Sequence, residues 1–164
     1  MSVNTLNMKT KEQWFAEYSI SHQNEKNQLI HFICVPAIFF SIVGLLMCIP
    51  NKLISNTLNL DSPIIENWAV FILILIHIFY LRMSFSTFIR MFLFSVICVI
   101  GNYYLGENLS LFYASLAIFV IAWIGQFYGH KIEGVKPSFF KDLQFLLIGP
   151  AWVFEKLSKK QITT

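Results

Sequence analysis

Apolar runs alternate with short polar breaks along most of the chain, and the breaks decide how it is read. From Leu29 the residues LIHFICVPAIFFSIVGLLMCI stay apolar long enough to cross a bilayer as a helix, which predicts a membrane helix over residues 27–49. Pro50 and Asn51 end it. Pro36 falls inside and removes one backbone donor. Further runs predict membrane helices over 64–81, closed by Arg82; over 88–105, with Arg90 near the start; and over 109–127, leading to Gly129 and His130. Residues 1–26 read as a cytoplasmic or interfacial segment, in which Trp14, Phe15 and Tyr18 share a helical face suited to the headgroup level. Residues 138–157 are continuously apolar over too short a stretch for a ready span and are broken by Gly149-Pro150. They predict an interfacial or re-entrant helix. The expected fold is all-α, a single membrane domain over 1–164 with four transmembrane helices, interfacial N- and C-terminal helices, and a fifth crossing left open.

Composition supports the same class. At 56% hydrophobic and 13% charged residues, the chain has more apolar side chain than a soluble core of this size can hide. No basic cluster with interleaved aromatics lies outside the membrane segments, so a nucleic-acid partner is not expected. Cys34, Cys48 and Cys98 sit in apolar runs without metal-ligand spacing and read as packing residues. The polar start has no apolar core of a cleavable signal, so the first membrane helix is expected to direct insertion. With the N-terminus cytoplasmic, four crossings place every Lys and Arg except Lys52 on the inner side. The positive-inside rule then puts both termini in the cytoplasm, in a bacterial inner membrane or the endoplasmic reticulum. His22, His31, His77 and His130 fall toward that same side.

That convergence suggests chemistry, because ionisable residues in membrane segments are costly and neutral imidazole is a common ligand of iron, zinc and copper. Asn27 and His31 share a helical face at a spacing of four, as do Gln126 and His130. The arrangement points to a mononuclear metal site of His22, His31, His130 and His77, with Glu133 as a further ligand or as the hydrogen-bond partner of one. His77 taken alone reads rather as a structural residue or a hydrogen bond between helices. Lys131 and Lys136 serve the charge rule and also stand where a fatty carboxylate would enter. Two rival classes stay open: a haem-binding membrane cytochrome, and a membrane scaffold without catalysis. Four histidines are too few for an eight-histidine di-iron enzyme.

Three motifs add a resemblance. His22-x-Asn24-x-x-Asn27-x-x-Ile30-His31 is followed by Pro36; Trp123-x-x-Gln126-Phe127-x-Gly129-His130-x-x-Glu133 is followed by Pro137; and Gly149-Pro150 is followed by Glu155. Together they resemble the 2-hydroxy fatty acid dioxygenase family, named for the metabolism of phytosphingosine to odd-numbered fatty acids. The likeness runs from about Trp14 to Glu155. It implies an iron(II) enzyme that uses dioxygen to shorten a 2-hydroxy long-chain fatty acid by one carbon, with His22, His31, His130 and Glu133 at the catalytic site. It also implies roles for Asn24, Asn27 and Gln126 beside that site, and carboxylate binding by Lys131, Lys136 or Arg82. Some fungal members carry a second histidine where Gln23 stands here.

Overall fold

The computed structural model describes residues 9–134 and 139–162, with side chains placed for 9–134 and 145–158. Among them the chain forms seven helices and no strand: α1 (Lys11–Ile20), α2 (Glu25–Met47), α3 (Lys52–Leu58), α4 (Trp68–Met83), α5 (Phe85–Asn108), α6 (Leu111–Glu133) and α7 (Phe139–Ile162). α2, α5 and α6 are long and apolar enough to cross a membrane, whereas α4 has only 16 residues. Among the described residues, length and composition therefore support three spans and leave the expected four, or five, unconfirmed.

Local chemistry explains where the boundaries fall. α4 starts at Trp68 and not at Ile64 because Asn67 caps it, its side chain accepting from the Val70 amide at 3.0 Å. Ahead of it Glu66 is buried, and its carboxylate accepts from the Leu60 amide. These bonds hold residues 60–67 in a loop. Ser84 separates α4 from α5 and caps the latter. α6 continues six residues past the expected end at 127, to Glu133, and Gly134 stops it in the left-handed conformation at φ 75°. His130 and Glu133 thus belong to one helix face, three residues apart. α3, in the stretch between the first two predicted membrane helices, was not expected.

The packing gathers polar side chains inside, beside an apolar core, and leaves large apolar ones outside, the arrangement that suits lipid. Asn27, His31, Ser41, Asn102, Ser115 and Gln126 are buried, while Ile97, Ile121 and Ile124 are more than 60% exposed. Asn102 ties α5 to α2 by donating to the Phe40 carbonyl at 3.0 Å. α2 and α6 form the most extensive helix pair. Small residues permit it: a Cβ on Gly44 would collide with Ser115 and Asn102, and one on Gly125 with Cys34. α7 lies across α1, α2 and α5, burying Ile148, Ala151, Trp152 and Val153.

Candidate metal centre

Three histidines from three elements meet at one end of the α2–α6 pair. His22 stands in the short link after α1, where its Nδ1–H donates to the Tyr18 carbonyl and its ring stacks on Tyr18 at 4.1 Å with an interplanar angle of 8°. His31 lies two turns into α2 and donates its Nδ1–H to the Asn27 carbonyl at 2.9 Å. His130 arrives on α6. Its approach depends on the preceding residue, since a Cβ on Gly129 would overlap Asn27 Oδ1 and press on His31 Cε1. The ring centroids are 4.3 Å apart for His22–His31, 5.1 Å for His31–His130 and 5.7 Å for His22–His130. One nitrogen from each lies within 4.8 Å of the others, and all three residues are buried.

The donor set fits a metal ion. Because His22 and His31 commit Nδ1 to main-chain carbonyls, each neutral ring presents Nε2 as its lone pair. Burial pushes the His22 imidazole down to about 4, despite the Tyr18 carbonyl that favours the charged form. The ring is therefore neutral at physiological pH, the state in which imidazole ligates. Its Nε2 is buried and has no partner among the described residues, and an orphaned acceptor of that kind is costly unless a ligand completes it.

Glu133 does not join the three nitrogens. Its carboxylate accepts from the Gln23 amide at 2.7 Å, the Asn24 amide at 3.0 Å and Asn27 Nδ2 at 2.9 Å. These groups follow His22 in the chain and precede His31 by one turn, while Glu133 itself is three residues from His130. One carboxylate therefore connects the backbones that carry all three rings. It also faces the start of α2, where negative charge is favoured. Asn24 caps that helix, accepting from the Lys26 amide at 2.9 Å, and Asn27 donates a further bond to the Ser21 carbonyl.

α7 closes the site from the other side. Trp152 tilts against His22 at 5.5 Å and donates from its indole to Ser19 Oγ at 2.9 Å. Lys156 lies over the Trp152 ring at 4.6 Å and donates to Gln28, whose amide in turn donates to the His22 carbonyl. Burial lowers the Lys156 pKa. The cavity beside the histidines is small, about 40 Å³, and is walled by Trp123, Gln126, Val35, Ile38 and Phe145. The Gln126 side chain is within hydrogen-bonding range of the His31 ring.

A family model described as 2-hydroxy-palmitic acid dioxygenase Mpo1-like matches residues 8–161, nearly the whole chain. The chain belongs to this family. No curated protein and no solved structure matches it.

The remaining residues singled out in this Mpo1-like chain are dispersed. His77 is on α4 among Tyr80, Phe88 and Phe92, outside the three-histidine cluster. Arg82 lines a separate cleft with Lys9 and Lys11. Lys131 is exposed on the last turn of α6, and Lys136 lies outside the described residues. Trp152 was absent from the sequence reading, and Tyr18 was read only as an interfacial aromatic, although both pack on His22. The Gly125-x-x-x-Gly129 spacing was the available signal for close α2–α6 contact.

Proposed function

We propose that the chain is an iron(II)-dependent dioxygenase that removes one carbon from 2-hydroxy long-chain fatty acids, with His22, His31 and His130 as the metal ligands. The observation that carries the reading is the meeting of three buried imidazoles at one point in a chain of the Mpo1-like family. Bound iron would supply the oxygen chemistry, for which amino-acid side chains have no equivalent. The chain's own residues present neutral nitrogens, hold them in register through Glu133, and exclude bulk water with Tyr18 and Trp152. A cavity of about 40 Å³ has room for a small head group and not for a long chain. The alkyl tail is therefore assigned outside this cavity, among the apolar surfaces of the helices.

The proposed topology counts α4 as a fourth, short crossing beside α2, α5 and α6, with both termini in the cytoplasm and the histidines at the inner face. Charge placement supports it, since Lys52 is the one cation on the outer side. The haem alternative is not favoured: the three rings converge on a point beside a cavity too small for a macrocycle. Protein purified without oxygen should contain one iron per chain and, once dioxygen is supplied, convert 2-hydroxypalmitate to a fifteen-carbon product. Full turnover by both His31→Ala and His130→Ala proteins would reject the assignment.

A further inference from the structure

A second cavity lies between α4 and α5, on helices that supply no ligand to the histidine cluster. Its volume is about 500 Å³, and its walls are aliphatic or phenyl apart from His77 and Ser95. The rim residues Ile74, Ile78, Phe92 and Ile100 are each more than 40% exposed, so the groove opens toward whatever surrounds the two helices. The polar pair is at its floor. His77 is 8% exposed and Ser95 3%, and neither His77 Nε2 nor Ser95 Oγ has a hydrogen-bond partner among the described residues.

These two atoms define the missing ligand. His77 Nδ1–H donates to the Leu73 carbonyl at 2.6 Å, so in the neutral ring Nε2 is an acceptor only. Phe88 and Phe92 meet the ring edge-on at 5.7 Å and hold it in place. A helical serine ordinarily returns its hydroxyl to a carbonyl of the preceding turn, as Ser158 does to Phe154 at 2.7 Å. Ser95 does not, which leaves an unpaired donor and an unpaired acceptor in the wall of one groove. A hydroxyl satisfies both, whereas a carboxylate has no proton for Nε2 and a plain hydrocarbon satisfies neither.

The dimensions select a single chain. From Val70 to Leu81 the groove follows about 16 Å of helix, giving a cross-section of about 30 Å² for its 500 Å³. A single alkyl chain suits that section, and a helix from a second copy would leave His77 Nε2 and Ser95 Oγ unpaired unless it brought a hydroxyl to the same depth. His77 is five residues before Arg82, or about 8 Å deeper along α4. A hydroxyl meeting it belongs part-way along the chain and not on the carbon beside the head group.

We propose that the α4–α5 groove binds one fatty acid hydroxylated part-way along its alkyl chain, recognised by His77 Nε2 and Ser95 Oγ. This site is independent of the metal reading, and its test uses no turnover. The full chain in phosphatidylcholine nanodiscs would be photolysed with a 12-hydroxystearate carrying a terminal diazirine, and labelled peptides located by mass spectrometry. Label should fall on α4 and α5, and competing 12-hydroxystearate should reduce it about 5-fold more effectively than stearate or 2-hydroxystearate at equal concentration, the scale of one hydrogen bond within a membrane. His77→Phe should abolish that preference, and Ser95→Val, which keeps the volume without the hydroxyl, should reduce it if the first variant fails to fold. Equal competition by stearate, or label spread evenly over α5 and α6, would overturn the proposal.

Discussion

His31 in α2 and His77 in α4 are placed by the same local device, an Nδ1–H donated to the carbonyl four residues back, at 2.9 and 2.6 Å. Their surroundings differ completely. His31 faces two other imidazoles across a glycine-lined crossing, whereas His77 faces two phenyl rings and a serine. The comparison teaches that an intramembrane histidine acquires its chemistry from the neighbouring helix. One helix turn fixes which nitrogen is presented, and only the tertiary contact decides to what.

The strongest way to break the comparison is to exchange the two fates. His31→Ala and His130→Ala should each lose bound iron and turnover together, by more than the roughly 10–100-fold that loss of a ligand's hydrogen-bond partner costs. His77→Leu should retain iron. Metal analysis on the purified variants separates the outcomes, and iron loss in His77→Leu would merge the two sites.

Gly129→Ala tests the crossing itself. The added methyl meets Asn27 Oδ1 and His31 Cε1 in a buried contact, so about 1–3 kcal/mol of overpacking should appear as a lower thermal midpoint together with weaker iron retention. A fully stable, iron-replete variant would mean that the crossing tolerates separation.

Glu133→Gln sharpens the role of the carboxylate. An amide accepts fewer and weaker bonds from the Gln23 and Asn24 amides, so iron affinity should fall about 10-fold while the helices stay folded. Complete loss, equal to that of His130→Ala, would make Glu133 a ligand. The smallest effect is expected at Lys156→Met, which keeps the stem but removes the charge over Trp152 and the bond to Gln28. A loss of about 0.5–1 kcal/mol in thermal stability is expected, with turnover nearly intact.

Much of the site was legible because its polar motifs interrupt long apolar runs. His22, His31 and His130 stood out on that ground, and Asn27 and Gln126 shared their helical faces. The clamp made by Glu133 was not legible, because two of its three partners are main-chain amides more than a hundred residues away and amides leave no mark on a pattern. Trp152 was hidden for a related reason: inside an aromatic-rich chain, nothing local distinguishes the indole that covers His22 from one facing lipid. The short α4 was misjudged at its start, where Asn67 caps the helix in place of continuing it.

α7 follows in the chain every helix it covers, and that order bears on biosynthesis. During translation the three histidines are all made before Trp152 and Lys156, leaving the site open on one side for seconds at ordinary rates of synthesis. On the proposed metal assignment, loading would have a natural window, after α6 has delivered His130 and before α7 seals the link beside His22. A chain that closes too early would be folded, inserted and empty.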